Sequence, residues 1–235
     1  MRALAVETSG RVGSVAIVED GVVLREAEFP HGLQHAAGIV LMADELCRAQ
    51  GWSPRELAEL YVSAGPGSFT GLRIGITVAK TIGFATGCKL VAVPTVRVLA
   101  ENAPAEAQHV IIVLDAKRDQ VFTARFERQG GNWLEREPAH LGALTDMLAR
   151  APRPVHLLGE GIPYHARFVP AEPGIIVTDD TRWRARASAV ATIGAEMARR
   201  GQFADAYRLA PIYIRPPEAE EKWAQNNPAG GPAKA

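Results

Sequence analysis

Two short segments carry the residue types from which a phosphate or carboxylate site is built. Gly65-Pro66-Gly67-Ser68-Phe69-Thr70-Gly71 stands between an apolar run and a helical one. Free backbone N–H groups at such a helix start attract anions. The segment lacks the Gly-Lys-Ser/Thr ending of a P-loop, and Ser68 is not flanked as a nucleophile elbow requires. Glu7-Thr8-Ser9-Gly10, a hydroxyl-rich turn after the first apolar run, is a second candidate phosphate loop. A carboxylate there could hold Mg²⁺ through water. An ATP user needs another carboxylate across a cleft, and Asp115, closing the apolar run that opens the second half, suits that place. The plainer alternative for both segments is a turn without a ligand.

Other reactive side chains group less well. His31 and His35 have i, i+4 spacing, but Gly32 weakens a helix there and no acidic third ligand stands in register. His109, His140, His156 and His165 are scattered. Cys47 and Cys88 cannot make a disulfide framework and read as buried free thiols. Arg182-Trp183-Arg184-Ala185-Arg186 mixes cations with an aromatic, as a nucleic-acid contact does, yet it lies between Asp179-Asp180 and a helix and reads as a solvated helix start. No metal ligand set and no catalytic residue is assigned.

These residues must be positioned by strands and helices that alternate in two cycles. Residues 2–7 read as a buried strand, and 13–18 and 21–28 as a hairpin turned at Asp20-Gly21. A helix follows over 33–49, with an apolar stripe at Leu33, Ala37, Val40, Leu41 and Leu46. Ser53-Pro54 opens a short helix over 55–58. A strand over 61–64 leads through the glycine-rich segment into a helix over 70–85 stopped by Gly87, and 90–93 is another strand. The cycle resumes with strands at 109–114 and 120–127, a helix over 141–150, strands at 155–158 and 175–177, and a helix over 185–200. The domain boundary falls in 101–107, between domains at 1–103 and 104–215, and the Pro/Gly/Asn/Ala-rich tail at 216–235 is expected to be largely disordered.

The helix over 70–85 carries a second signal. Gly71, Gly75, Ala79 and Gly83 recur every fourth residue. Interior glycines cost about 1 kcal/mol each relative to alanine, so close packing must offset them. The stripe meets a helix of another protein, as small-xxx-small faces do, or packs on its own sheet, and nothing prevents one helix from doing both.

Composition narrows the function. Of 235 residues, 47% are hydrophobic and 22% charged, as in a folded globular protein. Lys plus Arg and Asp plus Glu both number 26, so the net charge is zero, and an autonomous nucleic-acid binder is disfavoured. The opening residues turn acidic at Glu7, too soon for a signal peptide. The most apolar stretch, 72–85, is broken by Arg73 and Lys80 and is no membrane span.

Three strings carry a resemblance: Leu4-Ala5-Val6-Glu7-Thr8-Ser9, Gly65-Pro66-Gly67-Ser68-Phe69-Thr70-Gly71-Leu72-Arg73-Ile74-Gly75, and Val91-Ala92-Val93-Pro94-Thr95. Together they resemble the TsaB (YeaZ) family of tRNA threonylcarbamoyladenosine biosynthesis proteins, paralogues of TsaD/Kae1. The likeness continues through Leu114-Asp115-Ala116-Lys117-Arg118 and Ala210-Pro211-Ile212-Tyr213-Ile214-Arg215. It implies an α/β fold of two duplicated actin/Hsp70-like (ASKHA, ribonuclease H-like) domains with mixed sheets flanked by helices. It implies a cytoplasmic, non-catalytic subunit that pairs with TsaD, with the TsaE ATPase in a larger complex. That complex places threonylcarbamoyl on N6 of adenosine beside the anticodon of tRNAs reading A-starting codons, and this subunit meets tRNA only indirectly. Pairing in the family uses the first two long helices, which here assigns the interface to Leu33, Ala37, Val40, Leu41, Gly71, Arg73, Gly75, Ala79 and Gly83. Self-pairing of the isolated chain is left open.

The resemblance also makes Glu7, Thr8, Ser9, Gly65, Gly67 and Asp115 remnants of a nucleotide site, taking ATP or ADP with Mg²⁺ weakly, with no tightly bound cofactor. Family members usually show Asp where Glu7 stands. TsaD proteins carry a His-x-x-x-His metal motif in the stretch matching Val93–Ala100, which here contains no histidine. The alternative function is an ATP-binding ASKHA-type enzyme of the kinase kind; a metallopeptidase fits less well.

Overall fold

The computed structural model describes residues 1–30 and 35–215, with backbone alone at residues 30 and 35–37. The first half runs β1 (Arg2–Glu7), β2 (Val12–Glu19), β3 (Val22–Pro30), α1 (His35–Ala49), β4 (Leu57–Gly65), α2 (Phe69–Thr86), β5 (Lys89–Pro94) and α3 (Thr95–Ala100). The second half runs β6 (His109–Asp115), β7 (Val121–Gln129), β8 (Asn132–Gly142), α4 (Leu144–Arg150), β9 (Val155–Leu158), α5 (Ile162–His165), β10 (Ile175–Val177) and α6 (Ala187–Arg199).

Each half builds one five-stranded sheet with the same order. In the first, β3-β2-β1 is antiparallel and β4 and β5 extend it in parallel beyond β1. In the second, β8-β7-β6 is antiparallel and β9 and β10 extend it in parallel beyond β6. The chain is therefore a duplicated α/β fold with mixed sheets. By this equivalence Asp115, closing β6, is the counterpart of Glu7, closing β1.

Burial explains the strands. All of Ala3–Glu7 is buried, as expected of a central strand covered on both faces. Leu4, Val6, Leu60 and Val62 point to a core under α1 and α2, while Ala5, Tyr61, Val91 and Val93 join α3, α6 and the second sheet. A third core lies between the second sheet's other face and α4 and α5.

Several elements differ from the sequence reading. α6, assigned by sequence to the 104–215 domain, packs across β1, β2, β4 and β5 of the first sheet. The approach is close because residue 194 is glycine: a Cβ there would lie 2.4 Å from Tyr61 Cγ. Strand β8 was not expected, because its charges mask the alternation. It is an edge strand joined to β7 by Gly130-Gly131, both at positive φ. Two of its charged residues are matched across the ladder, Glu137 to Arg125 at 2.9 Å and Arg136 to Glu127 at 2.8 Å. α3 was also not expected: Thr95, Val96, Val98, Leu99 and Ala100 are buried in the central core. The expected helix over 55–58 is a short 3₁₀ turn at Pro54–Glu56. The readings at His31, Leu33 and the 216–235 tail lie outside the described residues, as do the side chains of His35 and Ala37.

The glycine stripe of α2 faces its own sheet. Gly71, Gly75, Ala79 and Gly83 are all buried. A Cβ on Gly75 would lie 2.3 Å from Thr8 Oγ1, and one on Gly83 would lie 3.1 Å from a Leu90 methyl. This corrects the assignment of Gly75, Ala79 and Gly83 to a partner interface: their glycine and alanine character lets α2 settle on β1 and β5. What α2 turns outward is Phe69, Thr70, Arg73, Thr77, Thr81 and Phe84. Cys47 and Cys88 are buried and free, as expected. Among the described residues no helix is long and apolar enough to cross a membrane.

Candidate functional site

The carboxyl ends of β1, β4, β6 and β9 converge on a cleft of about 410 Å³ between the two halves. Ligands of open α/β sheets settle at such strand ends. Its lining includes Ser9, Gly67, Ser68, Asp115, Glu160 and Tyr164. Of the six residues expected to mark a nucleotide site, Ser9, Gly67 and Asp115 reach the cleft. Glu7, Thr8 and Gly65 are buried beneath it.

The two expected phosphate loops bind each other. Ser68 N–H donates to the Ser9 carbonyl at 2.7 Å, and a Cβ on Gly67 would lie 2.6 Å from that same oxygen. Gly65 is at φ +117, which favours glycine, and the Ile212 carbonyl oxygen would lie 2.8 Å from a Cβ there. α2 then starts with Ser68 as its N-cap, whose hydroxyl accepts from Gly71 N–H at 3.2 Å. It ends at Gly87, whose positive φ of 79° lets its N–H close on the Gly83 carbonyl.

Both expected carboxylates already have partners within the chain. Glu7 is fully buried, and its Oε1 accepts from the Ser9 amide and hydroxyl. Burial pushes its pKa up, the Ser9 hydrogen bonds oppose this, and the Glu160 carboxylate adds to the rise. Asp115 accepts from His165 Nε2 at 3.1 Å and from the Lys117 amide at 3.0 Å, and pairs with Lys117 Nζ at 2.8 Å. Burial pushes its pKa up, but Lys117 and His165 outweigh that and hold it below the ordinary aspartate value. The turn that delivers Lys117 has left-handed backbone at three successive non-glycine residues, Lys117, Arg118 and Asp119. Such residues persist where surrounding contacts over-determine them. Here Arg215 donates to the Ala116 carbonyl and to Gln120 Oε1, and Arg167 pairs with Asp119.

Glu7 gives a pH test. Its folded-state pKa is raised, so well below the unfolded-state value both states hold the proton and the group is silent. As pH rises the unfolded chain ionises first, and folding loses stability until the folded-state value is passed. Glu7→Gln keeps an acceptor for Ser9 and cannot ionise. It is expected to match the native chain near pH 3 and to exceed it in stability at pH 7, as urea unfolding at the two pH values would measure. A variant less stable than native at pH 7 would mean that an ionised Glu7 is favoured.

Sequence reasoning missed Arg11, Lys117, Glu160 and Tyr164. The Tyr164 ring lies between the Arg11 guanidinium, 5.2 Å from its centroid, and Lys117 Nζ at 5.5 Å. The usable signal was Gly159-Glu160-Gly161 after β9, which repeats Gly65-Pro66-Gly67 after β4. Gly65 and Gly159 even share their backbone twist, at φ +117 and +128. Among the described residues no group of three His, Cys, Asp or Glu side chains could hold a metal ion.

Beside the cleft, residues 204–215 strap the first half. Ala204 N–H donates to the Leu90 carbonyl and Ile212 N–H to the Ala64 carbonyl. Lys80 Nζ donates to the Tyr207 and Leu209 carbonyls. Tyr213 stacks on Phe69 at 5.2 Å and accepts from Arg73 Nε at 2.9 Å, and Tyr207 meets Phe84 at 4.9 Å. The result is an exposed aromatic ladder along α2, with Tyr207 82% exposed and Leu41 of α1 63% exposed.

Two equivalent mixed sheets with a cleft at their strand ends define a protein of the actin/Hsp70 (ASKHA-like) class. The model of the family described as TsaD, tRNA N6-adenosine threonylcarbamoyltransferase, matches residues 21–156, more than half of the chain. The chain belongs to that family, in its TsaB (YeaZ) branch. It is 29% identical to the tRNA threonylcarbamoyladenosine biosynthesis protein TsaB of Bacillus subtilis, over 96% of this chain and 99% of the relative. It is 27% identical to TsaB of Escherichia coli, over 92% and 95%. The solved structure of YeaZ from Pseudomonas aeruginosa shares the fold with a TM-score of 0.77 at 24% identity, covering 90% of this chain and 99% of that one.

Proposed function

We propose that the chain acts in the biosynthesis of tRNA threonylcarbamoyladenosine as a partner subunit that pairs with TsaD and leaves the transfer chemistry to it. The observation that carries this reading is the aromatic ladder on the outer face of α2, and Val40 and Leu41 of α1 are exposed as well. Rigid aromatic and arginine side chains presented together are the usual anchors of a protein interface. Of the residues drawn from the sequence, Arg73 lies within the ladder, beside Phe69 and Tyr213. The reading adds Phe84 and Tyr207, and keeps Val40 and Leu41 of α1 as exposed apolar residues for the same partner.

The cleft supports the same reading. Glu7 is sealed under Ser9, and Asp115 is paired with Lys117 and hydrogen-bonded by His165, so neither is free to hold Mg²⁺ as it stands. The stretch matching the metal motif of TsaD forms α3 and supplies apolar packing. The zero net charge fits a subunit that serves a tRNA modification while other subunits hold the tRNA. The reading places the protein in the cytoplasm, with TsaE joining the larger complex.

The test is reconstitution. The purified chain mixed with TsaD is expected to elute as one complex on a sizing column. Threonylcarbamoyl transfer is expected to be negligible from the chain alone and to require TsaD. Substantial transfer by the chain alone would overturn the proposal.

A further inference from the structure

We propose that Glu160 is a built-in anion: its carboxylate takes the Arg11 amide over the Gly10-Arg11 turn, ties the two halves together across the cleft, and keeps phosphate-bearing ligands out. The inference goes beyond the partner reading and stands without it.

The geometry carries it. The Arg11 amide, in the turn between β1 and β2, donates to Glu160 Oε2 at 3.0 Å, a bond that spans 149 positions of sequence. A Cβ on Gly10 would lie 3.0 Å from the same oxygen, so the carboxylate rests directly on the glycine backbone. A backbone N–H that a glycine-containing turn presents to a cleft attracts an anion. Here the anion comes from the other half of the chain.

The loop that carries Glu160 is anchored so that the carboxylate is held in place. Gly159 has φ +128, and a Cβ there would meet the Val113 carbonyl oxygen at 2.3 Å. A Cβ on Gly161 would meet the Asp115 amide nitrogen at 2.6 Å, and the Gly161 N–H donates to the Val113 carbonyl at 3.0 Å. Both glycines therefore seat the loop on the end of β6. The equivalent loop of the first half, Gly65-Pro66-Gly67, has proline where this one has glutamate and seats on the Ser9 backbone instead. Tyr164, a few residues further, lines the same cleft between Arg11 and Lys117.

The energetics follow. A tethered carboxylate competes as though present at millimolar concentration or above. A phosphate must displace it and also approach a like charge, which is costly at short range. Removing the charge and the acceptor frees the Arg11 amide.

The full-length chain, Glu160→Ala and Glu160→Gln would each be titrated calorimetrically with MgADP and, separately, with inorganic phosphate. Affinity for at least one of the two is expected to rise at least tenfold in Glu160→Ala. The gain should be smaller in Glu160→Gln, which keeps an acceptor oxygen without the charge. A gain for phosphate but not for MgADP supports the proposal and means that the cleft rejects the nucleoside. Amide exchange at Arg11, read by NMR, is expected to accelerate at least tenfold in Glu160→Ala. Equal binding by all three proteins, or none by any, would overturn the proposal, as would an unchanged Arg11 exchange rate. Where Glu160→Ala fails to fold, Glu160→Gln decides: at least a threefold gain in phosphate affinity is expected, and no gain overturns it.

Discussion

Gly75→Leu is expected to cripple the folded chain itself and not merely its pairing. Gly75 lies on the buried side of α2, and even a first side-chain carbon would stand 2.3 Å from Thr8 Oγ1. Thr8 is buried at the end of β1, beside the turn that seats Ser68, so it has little room to yield. Overpacking of a tight core costs about 1–3 kcal/mol, sometimes more. A leucine adds three further carbons at a site too small for one, so about 3 kcal/mol or more is expected. The gain in helix propensity on replacing an interior glycine, about 1 kcal/mol, offsets part of this. For a chain of this size the net loss corresponds to a fall in Tm of roughly 4–8 °C or more, readable by circular dichroism. The cause can be isolated with the pair Gly75→Ala and Thr8→Ala. Removing the Thr8 hydroxyl relieves the collision, so the double variant should be more stable than Gly75→Ala alone, a coupling that a double-mutant cycle measures. Equal Tm for native and Gly75→Leu would mean that the stripe does not rest on the sheet.

The complementary prediction concerns the outer face. Leu41→Asp and Phe84→Asp place a charge on an exposed apolar anchor of α1 and of α2. Exposed positions usually tolerate substitution within about 0.5 kcal/mol, so each variant should keep a near-native Tm; Phe84 forfeits in addition its contact with Tyr207. Truncating a central interface anchor costs about 2 kcal/mol, and that is roughly thirtyfold in Kd. Each variant is therefore expected to bind purified TsaD about thirtyfold more weakly by calorimetry. Leu134→Asp, on the β8 edge strand of the second sheet, is the control expected to bind as the native chain does. Native affinity in both Leu41→Asp and Phe84→Asp would remove the ladder from the interface. The two predictions separate cleanly because they move different observables: stability for the inner face of one helix, affinity for its outer face.

The contrast between the faces of α2 shows how far the residues speak for themselves. The glycine spacing demanded a close neighbour, but the same spacing serves a foreign helix or the home sheet equally well. A helical wheel ranks faces by polarity, and a stripe of glycine and alanine has almost none. The outward face is no clearer in sequence, since Phe69 and Phe84 gain their aromatic partners only when the 204–215 strap lies against them. β8 was hidden for a related reason. Its charges are stabilised by partners on β7 that the hairpin brings alongside.

What the sequence by itself determined was part of what near neighbours govern. Asp20-Gly21 turns the first hairpin, Gly87 stops α2, and two rounds of alternating apolar runs specify two halves of one α/β pattern. The Gly-Pro-Gly string and its companions carried the family. What only the tertiary structure decided was which distant groups meet. Tyr61 receives Gly194, the Thr8 hydroxyl receives Gly75, and the turn at Gly10-Arg11 receives the carboxylate of Glu160. The physical reason is one of range. Caps, turns and periodicity act over a few residues and leave local signatures, whereas these contacts join surfaces up to 149 positions apart, and their energies depend on a geometry that exists only once the chain has folded.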